Sequence, residues 1–328
     1  MYRYADIRVF DDSHPFLKGN LHGHTTISDG RLTHEQVIKN YKAAGYVFIA
    51  ITEHEIYTDF SHLGTDDFVI LPAIECACDR PSEGLRNFQH HINGFAGTQA
   101  MLAAAPAAPL VHMQHLPRLP FEGPSTVQKM KDRLVGHGLF CIYNHPRWSQ
   151  VTPADFGDLD GFAAIDIYNS NTAGHNHMGN SVTFWDILLQ AGRKINGVAV
   201  DDSHNDAEEP FAPDDSFGGW VMVSAVKVNH ESIVSALIAG EYYSSNGPSL
   251  YNYGVKDGYV FAECSPVKHI CFVAGGTTSQ GGIVRGENGS NITQGTYKLT
   301  GNERYVRVEC IDEHGKTAWS NPLYGEWE

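Results

Sequence analysis

Apolar residues fall in short runs through the first three quarters of the chain: FLKGNL at 16–21, YVFIAI at 46–51, FVILPAI at 68–74, FQHHIN at 88–93, LFCIYN at 139–144, FAAIDIY at 162–168 and GVAV at 197–200. Runs this short, bounded by turn-forming residues, predict strands. Between the first two, Thr33 to Ala44 carries apolar residues at helical spacing, with Thr33 as N-cap, Gln36 three positions on, and Gly45 closing the helix. The same 3.6-residue spacing predicts helices at about 125–136, 181–191 and 230–239. The Ala- and Pro-rich stretch from Gln99 to Arg118 reads as a helix followed by a loop. Strands alternating with helices predict an α/β fold built on a parallel sheet.

After residue 245 helical spacing stops. Runs such as HICFVAG, YKLTG and YVRVECID alternate with period two between Gly and Asn turns, so that Val306, Val308 and Cys310 face one way while Arg307 and Glu309 face the other. Two domains follow: residues 1–245, and a small all-β unit at 246–328 that gathers no titratable cluster.

Composition narrows the possibilities. With 42% apolar residues in 328, the chain can bury a large core. A net charge of -15 disfavours a nucleic-acid groove. No stretch approaches the roughly 18 uninterrupted apolar residues of a membrane span, and the first ten residues lack a signal peptide's apolar segment, so a cytoplasmic protein is expected. The six cysteines lack a framework spacing and read as reduced, buried thiols. Histidine is the outlier at 18 residues.

The histidines gather at strand ends. LHGHTTISDG follows the first run, and the two-residue repeat of a strand points His22 and His24 the same way, with Asp29 five residues further on. The second run ends in His54, the third in Glu75, the fourth offers His91 or His90, the fifth His145, and the seventh Asp202 and His204. In a closed parallel barrel such ends converge on one face, where chemistry is found. Imidazoles with carboxylates and no positioned thiolate suit zinc, manganese or iron. Nine ligands suit two or three ions, with Glu75 and Asp202 as bridge or anchors. Six neutral imidazoles and three carboxylates carry -3 and three divalent ions +6, leaving about +3, a site for a phosphate dianion.

LHGHTTISDG, ITEHE, IECA, HHING, YNHP and DDSH, in that order, resemble the polymerase and histidinol phosphatase family of metal-dependent phosphoesterases over about residues 14–245. The resemblance implies a distorted (β/α)7 barrel, here followed by a small all-β sandwich-like domain, with two or three metals at the strand ends. It implies His22 and His24 as the first-site pair with Asp202, Glu75 as the bridging carboxylate, and His91 and His145 at the second site. Asp29, His54 and His204 match the third. The family's HING pattern selects His91 over His90, and its Asp-x-His pattern selects Asp202 over Asp201. The chain departs from the family at Glu53 and Glu55, which stand where TDHD is usual, and at Asp201-Asp202-Ser203-His204, where SDAH is usual.

The expected activity is hydrolysis of a small phosphomonoester or nucleotide by metal-activated hydroxide, with His204 as a candidate general acid and Arg147 as a candidate phosphate clamp. His175 and His177 lie in NTAGHNHMGN, read as a polar loop between the sixth strand and a helix, and are expected to be solvated, at most lining the substrate entrance. Two other functions compete. One is an amidohydrolase-like cleavage of C–N or C–O bonds, which commonly uses a carboxylated Lys where this chain has His91. The other is a non-catalytic metal-binding protein acting through the β unit. No membrane partner is expected, and the sequence does not indicate an oligomeric state.

Overall fold

The computed structural model describes residues 1–79, 89–205 and 215–327. The chain is a mixed α/β protein in which the expected helices form as His34–Ala43, Pro124–Gly136, Val182–Gln190 and His230–Ala239. His34–Ala43 carries the full capping box, with Thr33 and Gln36 exchanging side-chain and backbone hydrogen bonds. The 99–118 stretch gives a short helix, Gln99–Ala104, and then the two-residue strand Gln114–His115 against Ile56–Tyr57.

The strands collect in two sheets near the histidine-rich ends. One sheet has the order Ala73–Asp79, Gln89–Ala96, Leu139–Tyr143, Ala164–Asn169, Asn196–Val200. The other runs Val69–Leu71, Phe48–Ala50, Phe16–Asn20, and continues through Trp220–Ser224 and Tyr242–Ser245. The first three of these are parallel neighbours, as are the last three strands of the other sheet. Leu21, Phe48, Leu71, Phe95, Ile142, Ala164, Val198 and Val200 form one buried apolar layer shared by both sheets.

Three expectations are corrected. The run at 68–74 is two strands, because Pro72 has no N–H for the ladder and the chain crosses there from one sheet to the other. The sheet is not all parallel: Gln89–Ala96 runs antiparallel to both neighbours. Only residues 80–88 separate it from Ala73–Asp79, fewer than the dozen or so that a parallel crossover needs. Finally, among the described residues the ladder does not close into a barrel. Trp220–Ser224 pairs antiparallel with Phe16–Asn20 and takes the edge that closure would require. The two sheets instead meet at isolated bridges, Gly23 with Ser203, His54 with Glu75, and Thr58 with Ala73. These bridges lie where the histidines gather.

Beyond residue 245 the pairing is antiparallel throughout. Thr317–Ser320 pairs with Tyr242–Ser245, so one sheet runs across the expected 245/246 boundary. Val306, Val308 and Cys310 face a core that includes Tyr253, Val255, Val260, Ile270 and Phe272. The chain's first residues join this unit: Ile7–Arg8 pairs with Leu250–Lys256, and Tyr2–Arg3 with Glu326–Trp327. All six cysteines are free thiols. Among the described residues no helix is long and apolar enough to cross a membrane.

Candidate metal centre

The site begins with backbone. After Phe16–Asn20, the His24 N–H donates to the Ser203 carbonyl at 2.8 Å and the Asp202 N–H donates to the His22 carbonyl at 3.0 Å. The HGH and DDSH segments are thereby laced together. Gly23 allows the approach, since a Cβ there would stand 2.9 Å from Ser203 Oγ. Asp202 and His145 take φ of 57° and 21°, left-handed conformations that turn each strand end toward the cavity. His91 reaches the same mouth for a different reason. It lies near the start of a reversed strand, in register with Ala77 and two residues from Asn93, the partner of Glu75.

Two buried acids sit at the centre. Glu75 Oε1 is 3.3 Å from His22 Nε2, 3.0 Å from His91 Nδ1 and 3.6 Å from His145 Nε2; its Oε2 is 3.4 Å from His24 Nε2 and 3.1 Å from His54 Nδ1. Asp202 Oδ1 is 3.0 Å from His22 Nε2 and 3.2 Å from His24 Nε2. Asp29, further out, lies 3.4 Å from His54 Nε2, 3.5 Å from His204 Nε2 and 3.8 Å from His24 Nδ1. All nine sequence-derived candidates therefore converge. Their donor atoms cluster within 4.8 Å of one another in overlapping groups: His22, His24 and Asp202; His22, Glu75 and His145; His54, Glu75 and His91; His24, Asp29, His54 and His204.

The donors fit cations. His22 Nδ1 and Nε2 and His54 Nδ1 are buried without a hydrogen-bond partner, although carboxylate oxygens lie 3.0 to 3.3 Å from two of them. Nitrogens and oxygens that crowd one space without bonding each other suit a shared ion. Charge compensation already operates between the side chains. Burial alone would raise the Glu75 pKa, but His22 and His91 hold it well below its ordinary value; Asp202 is held down against burial by His22 and His24. Against burial, Asp202 and Glu75 raise His22 to about 9, and Asp29 and Glu75 raise His54 to about 11. His24 goes the other way, pushed down to about 4 by burial and by His204, whose ring stacks on its own at 4.4 Å.

Amides and hydroxyls orient the donors. Asn144 Nδ2 donates to Glu75 Oε1 at 2.6 Å, Asn169 Nδ2 to Asp202 Oδ2 at 3.1 Å, and Asn171 Nδ2 to the Asp202 carbonyl at 3.0 Å. His145 Nδ1 meets Ser149 Oγ at 3.0 Å. The departures from the family pattern have structural work of their own. Glu53 accepts from the N–H groups of Thr25 and Ser28 at 3.1 Å each and from both hydroxyls, which fixes the loop between His24 and Asp29. Glu55 accepts from Ala77 N–H and from Arg118 Nε. Asp201 points away from the cluster and collects the N–H groups of Phe217, Gly218 and Gly219, each at 2.9 Å, and the Tyr41 hydroxyl.

Seven of the donors, all but His22 and His24, line a cavity of about 270 Å³. Trp148, Asn171, Thr172 and His175 also line it, and sequence reasoning singled out only the last. The first six residues of NTAGHNHMGN lie in a helix, Ser170–Asn176, rather than in the expected loop, and the last four are non-helical; Asn169 caps the helix by accepting from Thr172 N–H, an Asx-x-x-Thr signal visible in the sequence. His177 is exposed at its left-handed end. Arg147 is exposed, directed at the Asn180 carbonyl at 3.5 Å, and does not line the cavity. His90 turns away to Tyr143, its Nδ1 2.6 Å from the hydroxyl.

No protein-family model matches the chain, and neither does any curated protein. Among solved structures, the chain is similar to a two-domain protein from Bacteroides vulgatus containing a predicted PHP-like metal-dependent phosphoesterase, at 13% identity and a TM-score of 0.45, with 98% of this chain and 100% of that one covered. It is also similar to an amidohydrolase from Chromobacterium violaceum with bound sulfate and no metal, at 16% identity and a TM-score of 0.37, covering 58% of this chain and 89% of the other. At these scores the likenesses decide nothing about activity; the side chains must.

Proposed function

We propose that the chain is a metal-dependent hydrolase of phosphate esters, acting on a small phosphomonoester or nucleotide. The observation that carries this reading is the convergence of six imidazoles and three carboxylates in one cluster, seven of the nine lining a single cavity, with buried nitrogens that have no hydrogen-bond partner. Two or three divalent ions, manganese, zinc or iron, held by His22, His24, Asp29, His54, Glu75, His91, His145, Asp202 and His204, supply Lewis acidity and a water of lowered pKa. Glu75, within 3.6 Å of five of the imidazoles, is suited to bridging. His54 and His204 are the more exposed imidazoles, with side chains 22% and 17% accessible, which supports His204 as the candidate general acid for a departing alkoxide. Clamping of a phosphate by Arg147 requires its side chain to leave the Asn180 carbonyl. In this reading the two sheets are the halves of the distorted barrel that the family resemblance implies, opened where Trp220–Ser224 takes the edge of Phe16–Asn20.

An amidohydrolase-like reading with a carboxylated lysine lacks its residue: no lysine lines the cavity among the described residues. Elemental analysis followed by parallel screens of phosphoesters, amides and lactones tests the proposal. Two or more ions per chain with phosphoester turnover are expected. Activity confined to amides or lactones would replace the reading, and ions without any turnover would make the site structural or regulatory.

A further inference from the structure

Asp166 is the buried acid of this site that the nine donors leave unused. It is 1% exposed on Ala164–Asn169, whose Ile165 and Ile167 face the outer apolar layer with Trp185 while Ala164 joins the inner layer shared by the two sheets. Asp166 therefore points inward, on the same side of the strand as Ala164. Its Oδ2 accepts from the His145 N–H at 3.3 Å and from Asn169 Nδ2 at 3.0 Å. The same Asn169 nitrogen reaches Asp202 Oδ2 at 3.1 Å, so one amide ties Asp166 to a metal-donor acid. Asp166 Oδ1 is buried and accepts nothing.

The imidazoles show what that oxygen is for. His145 has Ser149 Oγ at 3.0 Å from its outer nitrogen, His24 has Ser28 Oγ at 3.4 Å, and His204 has the Asp202 carbonyl at 2.9 Å. His22 Nδ1 is buried and has no partner. His22 Nε2, 3.0 Å from Asp202 and 3.3 Å from Glu75, faces acids that would keep a hydrogen on it. To serve an ion it must lose that hydrogen and keep the one on Nδ1. Histidines that bind metals generally need a partner, commonly a carboxylate, for the second nitrogen.

Resting on the metal-centre reading above, we propose that Asp166 is a positioning residue: its carboxylate holds the Nδ1 hydrogen of His22 through one bridging water, and so frees Nε2 for the ion shared with Glu75 and Asp202. It touches no substrate. Its second role, through Asn169, is to keep Asp202 aligned with the same ion.

The test compares full-length wild type, Asp166→Asn and Asn169→Ala by calorimetric titration with manganese and with zinc. Asp166→Asn keeps the shape and removes the charge; it is expected to weaken the tighter ion about 10- to 100-fold with an unchanged circular dichroism spectrum. Wild-type affinity in Asp166→Asn overturns the proposal, as does an equal loss in Asn169→Ala alone. Should Asp166→Asn fail to fold, long-range 15N–1H spectra of the zinc-loaded wild type decide. Nε2 ligation by His22 with a slowly exchanging Nδ1 hydrogen is expected, and ligation through Nδ1 overturns it. A wild type that takes up no ion refutes the metal centre itself, an outcome separate from all of these.

Discussion

Helix Val182–Gln190 meets strand Tyr305–Ile311 across a buried cation, while the far ends of the sheets meet around buried acids and imidazoles. At the first junction Arg307 is 1% exposed, yet every direction is answered: Asp186 takes two of its nitrogens at 2.8 and 2.7 Å, Glu309 a third at 2.6 Å, and the Trp185 ring lies 4.8 Å beneath. At the second, His22 is as deeply buried, but both its nitrogens lack a hydrogen-bond partner while acids crowd around it. Buried charge tolerates the interior only when it is paired. Completed pairing marks Arg307 as a rivet between the two parts of the chain; incomplete pairing around one shared space marks the mouth as a place for something else.

The largest contrast comes from removing an acid at the mouth. Glu75→Ala or Asp202→Ala is expected to lower phosphoester turnover on the order of a thousandfold or more and to deplete bound metal, as read by kinetics and elemental analysis on the same samples. Full activity in Glu75→Ala would show the donor assignment to be wrong. At the rivet the effects should reverse. Arg307→Ala leaves Asp186 and Glu309 partly buried without their cation and should cost about 3–5 kcal/mol in urea unfolding. Metal content and turnover per folded molecule should stay near wild type. Loss of metal in Arg307→Ala would mean that the two regions are not independent.

A smaller effect separates the regions by pH. His22 is raised from 6.5 to about 9 in the ion-free chain, so its contribution to stability is complete below 6.5 and is lost as pH rises through about 9. Glu75 and Asp202 are held below 4.5 and 3.8, so their contributions are present above those values and are lost as pH falls further. His24, pushed from 6.5 down to about 4, subtracts stability below 6.5 and moves the optimum toward the upper end of that window. The ion-free protein should therefore melt at its highest temperature near pH 6 and lower toward pH 9. Protons compete with ions for the imidazoles, so manganese should stabilise more as pH rises over the same range. Thermal melts with and without manganese test this, and parallel curves would remove the mouth as the ion site.

Much of this was legible in the chain because strand ends are marked twice, by where an apolar run stops and by the polar residue that follows. His22, His24, His54, Glu75, His145, Asp202 and His204 all carry both marks, and all reach the cluster. His91 reaches it although its strand is reversed, because periodicity is the same in both directions and only the short 80–88 connection speaks for the turnaround. The opened sheet was not legible. Trp220–Ser224 and Tyr242–Ser245 fall outside the seven runs marked in the sequence, and nothing local says that the first will capture the edge of Phe16–Asn20. Asp166 was hidden by its surroundings, since AIDIY reads as a core strand and a single acid within it carries no spacing signal. Trp148 belongs to the turn after His145, where only the tertiary fold brings a side chain to the cavity wall.

The finest distinction lies inside the cavity, between residues that line it and residues that donate to it. His175 lines the mouth from the last turn of Ser170–Asn176, is exposed, and belongs to none of the donor clusters. Its imidazole is already hydrated, so His175→Ala removes neither a buried partner nor an ion ligand, and kcat/KM should stay within about threefold of wild type, well under 1 kcal/mol. Metal content should not change. His54, also on the cavity wall, is 22% accessible but stands 3.1 Å from Glu75 and 3.4 Å from Asp29, so His54→Ala should deplete an ion where His175→Ala does not. If the two variants lost metal equally, proximity to the cavity rather than membership of the donor clusters would be what matters, and the contrast between satisfied and unsatisfied burial would fail at the place where it is sharpest.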